Sequence, residues 1–118
     1  MALYDLAHQL AREIKNSDEY TRYKELKDKI MSNEATKSML LDFQKQQINI
    51  QSKQINGQTI TDEEKEKFEN IKELINLNSD IKEYLDAEYR MGVLFNDIQK
   101  ILFGGLEIGI TENEKSTR

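Results

Sequence analysis

The chain contains no cysteine and no proline, a single histidine, and five glycines, three of which follow residue 103. Each shortage removes a class of structure or chemistry. Without cysteine there is no disulfide, no thiolate metal site and no cysteine nucleophile. Without proline, and almost without glycine before the tail, long stretches of backbone can run as uninterrupted helix. No apolar run approaches the ~20 residues that a membrane-spanning helix needs. The first residues carry Asp5, His8, Arg12 and Glu13, charges that the apolar segment of a secretory leader does not tolerate. A cytoplasmic protein without membrane association is expected.

What is present is polar. Charged residues make up 33% of the chain and hydrophobic residues 37%, and the mean hydropathy is -0.76. Either long helices stand exposed, or a modest core is completed by a second copy. A length of 118 residues fits one domain with a core of limited size. Seventeen basic residues against 22 acidic ones give a formal net charge of -5. That balance argues against direct nucleic-acid binding, which draws on a basic surface.

Hydrophobic periodicity predicts an all-α fold. A long antiparallel hairpin over residues 34–78 packs with two short N-terminal helices and a long C-terminal helix. The first helix is expected from Leu3 to Lys15, with Leu3, Leu6, Ala7, Leu10 and Ile14 on one stripe. Ser17 can cap a second helix, whose stripe is Tyr23, Leu26 and Ile30 and whose balanced charges read as a solvated face. Ser32 or Asn33 can cap the ascending arm, from Glu34 to about Asn56, which is rich in glutamine toward its far end. Gly57-Gln58-Thr59-Ile60 forms the tip, with Gly57 in the left-handed position that closes a helix. Thr61-Asp62-Glu63-Glu64 has the form of a capping box. With residue 59 as the fold-back point, Ile50 should face Phe68, and Phe43 should face Ile75.

Ser79 is expected to cap the last helix, Asp80 to about Phe103. There Tyr84, Ala87, Met91, Leu94, Ile98 and Ile101 recur at spacings of three and four, as in a coiled-coil seam. Leu85, Phe95 and Leu102 widen the seam, which makes this the expected central core helix. A single domain over residues 1–105 is expected, followed by a polar tail at 106–118, partly disordered.

Catalytic motifs are missing. There is no phosphate-binding loop, dinucleotide fingerprint, nucleophile elbow or zinc spacing. His8 shares a helix face with Asp5 and Arg12 and reads as part of a surface ion-pair cluster. The acidic run of the descending arm reads as a helix opening stabilised by its own dipole. No catalytic, cofactor-binding or metal residue is assigned, and no cofactor is expected.

The chain resembles the YlbF/YmcA family of small helical proteins from Gram-positive bacteria, most closely its YheA-like branch. The resemblance lies in Tyr4-Asp5-Leu6-Ala7, Ser17-Asp18-Glu19-Tyr20, Phe43-Gln44, Gln51-Ser52-Lys53-Gln54-Ile55-Asn56-Gly57, Ile60-Thr61-Asp62-Glu63-Glu64 and Ala87-Glu88-Tyr89-Arg90-Met91. It implies an all-helical cytoplasmic protein that self-associates and works through protein contacts. Better-understood relatives, YlbF and YmcA, join a third protein, YaaT, and influence RNase Y-dependent RNA processing, competence, sporulation and biofilm formation. Those relatives hold iron–sulfur clusters through cysteines. This chain has none, so the resemblance brings no cluster with it.

The expected function is therefore a non-catalytic regulatory adaptor, with other regulatory proteins as partners and a homodimer as its assembly. A helical clamp for flexible protein segments and an RNA-associated factor are the alternatives. Ile48, Gln51 and Ile55 on the ascending arm are the candidate partner or oligomer surface, together with Tyr84, Met91, Phe95, Ile98 and Leu102 on the last helix.

Overall fold

The computed structural model describes residues 1–107, and within them five helices and no strand: α1 (Ala2–Lys15), α2 (Asp18–Met31), α3 (Glu34–Ile55), α4 (Asp62–Asn76) and α5 (Ser79–Phe103). The all-α fold is as expected. The tail beyond Glu107 lies outside the described residues.

Local chemistry explains where each helix starts. The Ser17 hydroxyl accepts from the Tyr20 amide at 3.2 Å and donates to the Ile14 carbonyl at 2.6 Å, which turns the chain from α1 into α2. Asn33, not Ser32, caps α3, accepting from the Thr36 amide at 3.1 Å. Before α4, Thr61 and Glu64 form the complete reciprocal capping box. The cap of α5 is Asn78, one residue before the expected Ser79, and it accepts from the Ile81 amide at 3.0 Å. Asparagine caps as well as serine does, and this start places Ile81 in the core, where it is fully buried.

The end of α3 is equally determined. Gly57 adopts φ 68°, a conformation that costs a side-chain-bearing residue and costs glycine little. Its amide bonds the Gln54 carbonyl, and the Gln58 amide reaches back to Lys53 at 2.8 Å, a Schellman closure.

The core sits where the far end of α2, the beginning of α3, the end of α4 and the first half of α5 meet. Leu26 and Ile30 come from α2, Leu40 and Phe43 from α3, Ile71 and Ile75 from α4, and Ile81, Tyr84 and Ala87 from α5. The helix pair α2/α5 is the most extensively packed and α3/α4 is next, with α2/α3 and α4/α5 joining the two pairs. Two ion pairs reinforce the first: Lys29–Asp80 at 3.1 Å and Arg22–Glu83 at 3.5 Å. Part of the supposedly solvated face of α2 thus reaches across to α5. The Tyr84 hydroxyl donates to Glu88 at 3.1 Å, and its ring lies 5.5 Å from that of Tyr23. Burial, then contact with Tyr23 and the Glu88 charge, pushes the Tyr84 hydroxyl well above the usual tyrosine range.

An arm leaves this junction, and the molecule is flat, with extents of 52 × 40 × 18 Å. The arm is the far part of the α3/α4 hairpin. Most of α1 and the far half of α5 also lie outside the core. The expected register within the hairpin needs correction. Phe68 stacks on Phe43 at 5.8 Å, where the count about residue 59 gives Phe43 to Ile75. The cause is the tip, where residues outside a helix can advance about 3.3 Å each against about 1.5 Å in a helix. The loop therefore covers part of the descent, and counting symmetrically about residue 59 does not bring Phe68 to Phe43.

The central role expected of α5 holds for its first half only. Ile81, Tyr84, Ala87 and Met91 are buried, Leu94 and Ile98 are half-buried, and Ile101 is 80% exposed. Core and surface should respond differently to truncation. Ile81→Ala should cost about 2–5 kcal/mol, whereas Leu77→Ala, at a position 84% exposed, should stay within about 0.5 kcal/mol of wild type. Urea unfolding of the two variants at matched concentration checks this.

Candidate partner-binding surfaces

The hairpin is fastened near its tip by one carboxylate. Glu64 lies on the first turn of α4, where the capping box already fixes its side chain over the Thr61 amide at 3.3 Å. From the facing helix, the Lys53 ammonium donates to both of its oxygens at 2.6 Å, and the Asn49 amide donates at 3.0 Å. Asn49 and Lys53 are one turn apart on α3, so both aim at the same point. The Lys53 hydrogen bond, then those from Asn49 and Thr61, pulls the Glu64 carboxyl down from 4.5 to about 2. Two opposite charges flanking the tip were the available sequence signal for this contact.

With Asn49, Lys53 and Phe43 turned toward α4, the opposite side of α3 faces outward. Ile48 and Ile55 are 64% and 84% exposed, and Gln51 is exposed between them. Leu41, also exposed, and half-buried Gln44 extend the same line toward the core. Positions 41, 44, 48, 51 and 55 are spaced three, four, three and four, which is the seam of a coiled coil with aliphatic and glutamine layers alternating. The sequence reading found the Ile48–Ile55 pair with Gln51 and missed Leu41 and Gln44. Their heptad spacing was the signal. At its lower end the seam meets a small cavity lined in part by Lys27, Met31, Lys37, Leu41 and Gln44.

The candidates on α5 divide. Tyr84 and Met91 are each 6% exposed, taken up by the chain's own core. Neither is available to a partner, a correction that follows from α2 covering this half of the helix. Phe95 and Leu102 remain exposed, and Ile98 is half-buried, on the continuation of the core-facing stripe beyond α2.

Neither surface assembles catalytic groups. Among the described residues no group of three or more histidine, cysteine or acidic side chains is arranged to hold a metal ion. No helix among them is long and apolar enough to cross a membrane.

The family model described as control of competence regulator ComK, YlbF/YmcA, matches residues 3–107. The chain belongs to the YlbF/YmcA family. A "UPF0342 protein" of Caldicellulosiruptor saccharolyticus is similar to it, 35% identical over 106 residues, or 90% of this chain and 88% of that protein. The fold is shared with a protein of unknown function (DUF964) from Bacillus stearothermophilus, with a TM-score of 0.71 at 22% identity, over 88% of this chain and 91% of that one. It is also shared with the structure of Bacillus subtilis RicA in complex with RicF, with a TM-score of 0.63 at 22% identity and the same coverage. These two structures share the fold of this chain. The thiolate-held cluster of some family members does not fit this chain, which has no cysteine to hold one.

The Glu64 contact has a pH signature. Its carboxyl titrates lower in the folded state than its ordinary value of 4.5, so the ionised form stabilises the fold. That contribution is complete above pH 4.5 and is lost as pH falls through about 2. The Tm difference between wild type and Glu64→Gln should therefore be largest above pH 4.5 and shrink toward zero near pH 2. A constant difference across that window would show that the carboxylate is not held by Lys53.

Proposed function

We propose that the protein is a non-catalytic regulatory adaptor of the cytoplasm, a single domain over residues 1–105 that docks other regulatory proteins on the outer seam of α3. The observation that carries this reading is the run Leu41, Gln44, Ile48, Gln51 and Ile55, a helical seam whose upper part, Ile48, Gln51 and Ile55, is exposed among the described residues while Phe43, Asn49 and Lys53 turn toward α4. A helix offering aliphatic and hydrogen-bonding side chains in alternation fits it. Family membership and the neighbouring RicA–RicF complex support a protein partner. The family resemblance connects such an adaptor to RNase Y-dependent RNA processing and to developmental regulation.

The test is affinity capture from native cytoplasm, with and without nuclease, comparing wild type with Ile48→Glu and Ile55→Glu. Discrete partners that survive nuclease and are lost in both variants are expected. Recovery that depends on RNA, or a heterogeneous set of unfolded clients, would replace the adaptor with an RNA-associated factor or a clamp.

The same proposal includes a homodimer formed through the exposed stripe Phe95, Ile98 and Leu102. Burial of such a side chain is worth about 1.5–3 kcal/mol, and a charge within it must be desolvated. Light scattering should show a wild-type dimer and a folded, monomeric Phe95→Glu. A wild type that stays monomeric at high concentration would remove the dimer.

A further inference from the structure

We infer that α1 is not part of the protomer's core but an assembly helix, whose apolar stripe packs on the far half of α5 of a second copy around a two-fold axis. This rests on the dimer reading above and assigns its missing half. Helix α1 carries a strongly one-sided apolar face, yet none of its residues is buried. Leu3 and Leu6 are 67% and 63% exposed. Its packed neighbour is α2, across the turn at Ser17, while α5 is not among its substantial contacts.

Burial fades along α1 and α5 in the same way. On α1, Ile14 and Leu10 are half-buried, and Leu6 and Leu3 are exposed. On α5, Met91 is buried, Leu94 and Ile98 are half-buried, and Ile101, Leu102 and Phe103 are exposed. Each helix therefore ends in an apolar surface that the other described residues leave uncovered.

The two surfaces match. Residues 3, 7 and 10 follow spacings of four and three. Read in the opposite direction, residues 102, 98 and 95 follow the same spacings. Laid antiparallel, Leu3 meets Leu102, Ala7 meets Ile98, and Leu10 meets Phe95, with the small Ala7 making room for the branched Ile98 as close packing requires. Helical periodicity puts Asp5, His8 and Arg12 on the back of α1 and Asp97 and Lys100 on the back of α5. No charge need be buried. Leu3, Leu6, Phe95, Ile101, Leu102 and Phe103 each leave about half or more of the side chain uncovered. At roughly 100 Å² apiece, the four on the facing stripes, Leu3, Leu6, Phe95 and Leu102, would remove on the order of 800 Å² over two copies, and the flanking Ile101 and Phe103 add part of theirs toward the roughly 1,200 Å² of a specific interface. A two-fold axis uses both surfaces twice and leaves neither free, which gives a closed dimer of four helices.

Because the chain has no cysteine, single thiols report contacts without interference. The experiment mixes Leu3→Cys and Leu102→Cys, each carrying one thiol, under mild oxidation, with light scattering of the wild type alongside. Only contacts between chains can then form a disulfide linking the two variants. The expected result is a wild-type dimer and a mixed disulfide well above the level of either variant alone. Leu6→Glu should remain helical by circular dichroism and weaken dimerisation roughly tenfold or more. A wild-type dimer that links Leu102 only to Leu102, or gives no mixed disulfide, would overturn the assignment of α1 and leave the dimer standing. A wild-type monomer would overturn both.

Discussion

The packing of α2 against the first half of α5 is the contact from which the rest of the molecule hangs. It buries Ile30 and Ile81 almost completely and holds the Tyr23–Tyr84 pair between them. The α3/α4 hairpin adds the other side of the same small core, and every other stretch of helix leaves it. A polar chain of this length has little apolar surface to spend. Here that surface is concentrated at one junction, and the outlying stretches rely on capping and ion pairs.

That economy explains what the sequence could and could not reveal. Helix boundaries were legible because they depend on neighbours within a turn. Ser17, Gly57 and the Thr61–Glu64 box each did what its type and spacing implied, and Asn78 displaced Ser79 only by being an equally good cap one residue earlier. The pairing within the hairpin was not legible, because the path of the tip, not the count of residues, sets which phenylalanine meets which. The seam of α5 was visible as a seam from Tyr84 to Ile101. Periodicity names the apolar face of a helix and is silent on what covers it, so Tyr84 and Met91 were grouped with Phe95 and Leu102 although α2 covers only the first pair. The Lys53–Glu64 bridge escaped for a related reason: a contact across a loop depends on the loop's path.

The tip shows how few residues can hold a long hairpin. A left-handed glycine closes one helix, a threonine opens the next, and one glutamate serves the cap and the neighbouring arm together. Glu64 accepts from the Thr61 backbone, from Lys53 and from Asn49, so local helix initiation and the joining of the arms share a side chain. With both ends fixed, the outward line of α3 is presented on a backbone that has little freedom to reshape itself around a partner.

The alternation of aliphatic and amide layers along that line has a consequence for selectivity. A helix with a wholly aliphatic stripe would find Leu41, Ile48 and Ile55 congenial but would close over Gln44 and Gln51 without offering their amides a partner. A buried amide left unpaired costs about 1–3 kcal/mol, enough to cancel much of what an aliphatic layer contributes. As the docking surface proposed above, the seam would penalise the commonest kind of sticky helix and favour one whose polar residues fall in register with its own. Discrimination of this sort works by exclusion, and it lets an exposed apolar stripe exist in a crowded solution without capturing every amphipathic segment it meets.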